Sequence, residues 1–216
     1  MGSSAGGEDL QSKTRGNDMP RHSERCKQCK NNIATLLGKR FGEVIRNHLL
    51  DLPAMLDGYK RYDCYETLGR IHESLQDYRG HHLFAHARRL SPVDFYVPDP
   101  GLVVEFDESQ HFTEARRVSL AHYPPDVQLG YDRDRWIELC RQLNRHDNDP
   151  PHRDEQRAWY DTLRDFSTLL LDTLPTVRLY AMDEQWCALD PEQADDVDAF
   201  YAYLTQSCGS GGGRSL

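Results

Sequence analysis

The sequence predicts an α/β domain. Three features predict it: early apolar stripes at helical spacing, a pair of alternating strands joined by Pro98-Asp99-Pro100-Gly101, and a helix-strand-helix order after them. From Asn31, residues Ile33, Leu36, Leu37, Phe41, Val44, Ile45 and Leu49 recur at helical spacing, which predicts an amphipathic helix to about Leu50, broken by Pro53 and Gly58. A second stripe, Leu68, Ile71, Leu75 and Tyr78, ends at Arg79-Gly80, a helix C-terminal signal. VDFYV (93–97) and LVVEFD (102–107) read as a hairpin around a turn of Pro, Asp and Gly. Helices are expected at about 131–145 and, after the polar HDNDPPHRDE stretch, at 154–174. VRLYAM (177–182) reads as a strand and 191–204 as a closing helix. This order suits an α/β sandwich better than a bundle.

With 216 residues and 38% hydrophobic content, the chain can bury one substantial core. The polar, Gly- and Ser-rich stretches 1–25 and 206–216 are expected to be disordered tails around a single domain at 26–205. No apolar run approaches the roughly 18 to 20 residues that span a bilayer, and the first residues lack the apolar core of a signal peptide. A soluble, cytoplasmic protein without membrane contact is the expectation. In that compartment the six cysteines are expected to be reduced thiols, with no structural disulfide. A net charge of -9 disfavours nonspecific coating of nucleic acid, which is driven by Lys and Arg, although local basic patches remain compatible with it. The basic residues are 21 Arg and 5 Lys, and no Lys follows Lys60. Any role for a lysine in the later chain must therefore fall to another residue.

Strand alternation puts Val93, Phe95 and Val97 on one face and Asp94 and Tyr96 on the other, while Leu102, Val104 and Phe106 oppose Val103, Glu105 and Asp107. With the turn at 98–101, Val97 lies opposite Leu102 and Asp94 opposite Glu105, the register that gathers the apolar residues on one side. Opposed like charges are destabilising. A hard divalent cation would offset the repulsion, since Mg²⁺ takes one or two carboxylates and completes its shell with water and phosphate oxygen. Without a metal these carboxylates are expected to have raised pKa values. The plainer reading is an acidic solvent face of an ordinary half-exposed hairpin.

The segment DFYVPDPGLVVEFDESQHF resembles the core of the PD-(D/E)XK nuclease superfamily, and more closely its branch of very-short-patch-repair-like endonucleases, where an Asp-bearing strand is followed by E-x-D-x-x-Q-H. The matching positions here are Asp94, Glu105, Asp107, Gln110 and His111. A downstream D-x-x-R-x-x-x-x-L helix and V-x-R-type strand find approximate counterparts in Asp154, Arg157 and Leu163 and in Val177-Arg178-Leu179. The resemblance covers roughly 66–182, with an insertion at about 112–151. It implies a restriction-endonuclease-like sandwich with a small mixed central sheet flanked by helices. It also implies Mg²⁺-dependent hydrolysis of nucleic acid, DNA foremost, with Mn²⁺ as a substitute metal. In the superfamily, the Asp and Glu hold the metal and a Lys two residues after the Glu assists. Here Asp107 stands at that position, so either Asp107 joins the metal site, with Gln110, His111 or an Arg taking other roles, or hydrolysis has been lost and a silent module binds nucleic acid or a protein. Were the two carboxylates to face opposite sides, the hairpin would belong to an unrelated α/β domain. An acidic residue on the preceding helix often completes such sites, and Glu73 is the first choice, Glu66 the second.

His111 could orient water, move a proton or contact phosphate, as its near-neutral pKa allows. Arg157 and Arg164 could bind phosphate in planar, bidentate fashion, against the plainer reading of a helix face laced with salt bridges. Trp159, Phe166 and Leu170 read as core, Cys140 as a core thiol, and His81, His82 and His86 as loop residues. Cys26 and Cys29 have knuckle spacing, but a structural zinc needs four ligands and no second C-x-x-C exists. Cys64 or a histidine would have to complete it, and free thiols are the simpler expectation.

Overall fold

Alternation and turn chemistry act as expected at the centre of the molecule, for which a computed structural model describes residues 22–208. The segments 1–21 and 209–216, within the expected tails, lie outside the described residues. Four strands, β1 (Ile45–His48), β2 (Val93–Val97), β3 (Leu102–Asp107) and β4 (Val177–Tyr180), form one sheet in that order. β1 and β3 pair antiparallel with β2, and β4 pairs parallel with β3. Val97 lies opposite Leu102 and Phe95 opposite Val104, the register that burial favours. A small, mixed, open sheet with flanking helices is therefore the architecture.

The first expected helix is cut short. α1 (Lys27–Phe41) stops at Gly42, whose φ of 89° favours glycine and whose N–H closes on the Gly38 carbonyl at 2.9 Å. Beyond it Val44 and Ile45 continue the apolar stripe, but as β-branched residues they suit the strand that covers the edge of β2. His48 stacks on Tyr96 across that edge, with ring centroids 4.4 Å apart. α2 (Tyr65–Arg79) ends at left-handed Gly80, as its sequence signal predicts.

The segment 112–151, read as an insertion, carries α3 (Glu114–Ala121) and α4 (Arg133–Leu143). Thr113 and Asp132 cap these helices through their side-chain oxygens. Phe112, Ala115, Leu120, Tyr123, Tyr131, Trp136 and Cys140 are buried, so the segment builds core. The helix expected over 154–174 divides into α5 (Arg153–Asp165) and α6 (Ser167–Leu171) at buried Phe166. There the Thr176 hydroxyl donates to the Arg164 carbonyl at 2.7 Å, giving that carbonyl a partner outside the helix. α7 (Ala194–Cys208) closes the described chain.

Helices α2, α3 and α5 pack on one another, whereas α1 and α7 pack together against β2 and β4. No helix among the described residues is long and apolar enough to cross a membrane. Residues 22–25, placed in the tail by composition, touch the domain: Glu24 accepts the Ser109 hydroxyl at 2.6 Å and its N–H at 3.3 Å.

Beside β4, Gly130 donates its N–H to the Thr176 carbonyl at 3.2 Å, and a Cβ there would stand 2.8 Å from that same oxygen and 2.9 Å from the Pro175 oxygen. These are backbone atoms and cannot swing away. Gly130→Ala should therefore lower the free energy of unfolding by about 1 to 3 kcal/mol, read as a shift in urea midpoint at unchanged slope.

Candidate acidic site

The hairpin ladder ends at Phe95–Val104, just short of Asp94 and Glu105, which lie close enough for the Asp94 charge to act on Glu105. Asp94 Oδ2 accepts the Phe106 N–H at 2.9 Å, which ties its carboxylate to the neighbouring strand. Its other oxygen meets the Lys30 ammonium, from α1, at 2.6 Å. Glu105 is buried at 5% exposure, and Arg164 Nε lies 2.9 Å from its Oε1. That contact is out of line for a hydrogen bond, so both atoms are buried without a hydrogen-bonding partner.

Behind this pair lies a buried charge network. Arg178, adjacent to Glu105 on β4, donates Nη1 to both oxygens of Asp107 at 2.8 and 3.1 Å and Nε to Asp165 at 2.8 Å. Its Nη2 lies 3.4 Å from Asp161 Oδ1. Asp107 also accepts the Trp136 indole N–H at 2.9 Å. Arg116 from α3 binds Asp165 at 2.6 Å, and the hydroxyls of Tyr123 and Tyr131 donate to the same carboxylate oxygen at 2.8 Å each. His111 Nδ1 meets Asp161 at 3.0 Å and stands 3.6 Å from Asp107.

Charge sorts the carboxylates into two groups. Burial pushes the Glu105 carboxyl up to about 7; Asp94 and Asp161 add to the rise, while Arg164 and Arg178 oppose it. Burial would likewise raise Asp161 and Asp165, but Arg178 holds both below the usual carboxylate range, helped by His111 at Asp161 and by Arg116 at Asp165. For His111, burial favours the neutral ring, yet Asp161 and Asp107 hold its pKa above the ordinary value. The expected upward shift holds for Glu105, with burial as its largest cause, while the arginines move Asp161 and Asp165 the other way.

Of the residues singled out in the sequence, the structure brings together Asp94, Glu105, Asp107, His111 and Arg164. Gln110 lies beside them on a short 3-10 turn (Ser109–His111), its amide on Glu108 at 3.2 Å. Arg157 donates to the Gln110 carbonyl at 2.8 Å and to Asp147 at 3.1 Å, so it braces the turn. Glu73 and Glu66 are exposed on α2, apart from the buried cluster on the sheet. Sequence reasoning missed Lys30, Arg116, Asp161 and Asp165 as members. The one available signal was spacing: Asp161 and Asp165 are four apart on a strongly amphipathic helix, hence on one face.

Comparison with protein-family models, with curated proteins and with solved structures gives no match. The site must therefore be understood from its own geometry.

Two outcomes follow from that geometry. Glu105 has its folded pKa raised from 4.5 to about 7, so the stability linked to its protonation is fully present below about pH 4.5 and is lost as pH rises through 7. Glu105→Gln should remove this dependence, leaving the variant more stable than wild type above pH 7 by up to about 3 kcal/mol, measured by urea unfolding across pH 5 to 9. Arg178→Met would leave Asp107, Asp161 and Asp165 short of their shared cation and should cost about 3 to 5 kcal/mol, or abolish folding, as followed by thermal unfolding at pH 7.

Proposed function

We propose that the chain hydrolyses phosphodiester bonds of nucleic acid, DNA foremost, with a divalent metal held by Asp94 and Glu105, in the manner of the PD-(D/E)XK superfamily. The observation that carries this reading is the adjacency itself: two carboxylates close together on neighbouring strands, one with a buried oxygen that lacks a hydrogen-bond partner and stands 2.9 Å from Arg164 Nε. Hard oxygen donors in that number suit Mg²⁺ or Mn²⁺, which also bind phosphate oxygens. Bound there, the metal would stabilise charge on the phosphate and acidify a water molecule at neutral pH.

The chain's own groups have separable tasks. Lys30 reaches the pair from α1, an earlier element, and supplies the cation that the position of Asp107 lacks. Its ammonium can stabilise negative charge as it develops on phosphate. Both Asp107 oxygens are engaged by Arg178 and Trp136, so Asp107 supports the site by fixing β4 against β3. His111, oriented through Nδ1 by Asp161, can accept or return a proton through Nε2 near neutral pH. Arg164 neutralises Glu105 until substrate and metal arrive, and its guanidinium then suits a phosphate oxygen.

One observation favours a second reading. Lys30 on Asp94 and Arg164 beside Glu105 already supply the charge a metal would bring, as a silent binding module of the same fold would require. Purified protein incubated with single-stranded and duplex DNA and RNA, in Mg²⁺, Mn²⁺ or EDTA, separates the two. Metal-dependent cleavage is expected from wild type. Glu105→Gln and Asp94→Asn should abolish it with the fold intact, and Lys30→Met should slow it on the order of 10²-fold. A wild type that cleaves nothing and gains no melting temperature from Mg²⁺ or Mn²⁺ establishes the silent module, and a Glu105→Gln variant as active as wild type removes Glu105 from the site.

A further inference from the structure

We propose that His22, Cys26, Cys29 and Cys187 form a structural zinc site that fastens the start of α1 to the segment following β4. The donor atoms of His22, Cys29 and Cys187 all lie within 4.8 Å of one another. Cys26, one turn before Cys29 at the start of α1, is near enough for Cys29 and Cys187 to perturb its thiol and is the fourth ligand that a small closing movement would bring in. Three sulfurs and one imidazole make a Cys₃His set, a closed tetrahedral composition that selects zinc over hard cations.

The two nitrogen–sulfur distances match edges of a tetrahedron. For Zn–S of about 2.3 Å and Zn–N of about 2.0 to 2.1 Å, the N···S edge should measure about 3.6 Å. His22 Nδ1 stands 3.5 Å from Cys29 Sγ and 3.7 Å from Cys187 Sγ. The other ring nitrogen, Nε2, lies 2.8 Å from the Ala181 carbonyl, which can only accept. That contact places the proton on Nε2 and leaves the Nδ1 lone pair directed at the sulfurs, the arrangement by which an outer partner orients a ligating histidine.

A second device holds the same seam. The Asn32 side-chain amide, one turn further along α1, reaches the carbonyls of Trp186 and Cys187 at 3.2 Å each and of Leu189 at 2.8 Å. Loading converts the thiols to thiolates and releases their protons to solvent, while the imidazole stays neutral, so no oxidant or reductant is needed. Cys64, at the start of α2, and Cys140, buried in α4, are not members of the cluster and serve as internal controls.

The test needs no enzymatic activity, so it stands or falls separately from the hydrolysis reading. The full chain, purified under reducing conditions, should carry about one zinc per molecule by elemental analysis, and a strong chelator should lower its melting temperature by about 10 °C or more. Cobalt added to the stripped protein should give intense visible bands of tetrahedral thiolate coordination. Cys187→Ser and His22→Ala should lose the metal or the bands, and Cys64→Ser should keep both. Should the ligand variants fail to fold, the cobalt titration of wild type against a competing chelator still decides. A reduced wild type that neither retains zinc nor binds cobalt, an intact mass showing a disulfide within the cluster, or a Cys64→Ser variant as metal-poor as Cys187→Ser would overturn the proposal.

Discussion

Arg178 is the constraint around which the rest is arranged. Its guanidinium, fully buried on an outer strand of the sheet, meets carboxylates from β3 and from two turns of α5. An arginine cannot give up its proton to escape burial, so the surrounding acids must stay ionised and in place. That requirement fixes the distance of α5 from the sheet and draws in α3, whose Arg116 satisfies Asp165 from the far side. It also brings α4 down onto Asp107 through the Trp136 indole. A purely apolar contact among these elements would have left their axial positions free to slide, because hydrophobic attraction has little direction.

The network also decides where titration can occur. Arg116, Arg164 and Arg178 stand against Asp107, Asp161 and Asp165, which leaves Glu105 and His111 as the members whose protonation sets the net charge. Both have pKa values moved upward, Glu105 by burial and His111 by its acidic neighbours. A proton can therefore reside on either within one buried cluster.

Legibility in the sequence followed the physics of each element. The hairpin register was readable because period-two alternation and a Pro-Asp-Pro-Gly turn specify the same pairing. β1 was hidden because Val44, Ile45 and Leu49 happen to extend the helical stripe of Ile33 and Leu37, and only Gly42 marked the change. α3 was hidden because it is short and buries Arg116 and Ser119 along with its apolar residues, so no wide apolar face announces it. The proximity of Asp94 and Glu105 was legible from local pattern alone. Their cation was not, since Lys30 arrives from 64 positions earlier by way of the packing of α1. Likewise the Cys26 and Cys29 pair was visible as a spacing, whereas Cys187 and His22 were lone residues that only the tertiary fold could match to it.

Within α1, a single turn faces three different obligations: Cys29 the sulfur cluster, Lys30 the acidic pair and Asn32 the carbonyls after β4. Contacts between His22 and Cys187 span 165 positions, so closing them costs more chain entropy than any pairing within the hairpin. Assembly should therefore begin with the locally paired β2 and β3 and end with the docking of α1. Without a metal at the sulfur cluster, the same ordering run backwards makes this seam the first to part under stress, carrying Lys30 away from the sheet while the arginine-bound interior is still intact. Hydrogen exchange would then see α1 and the segment after β4 as one low-stability unit, distinct from the core that Arg178 holds.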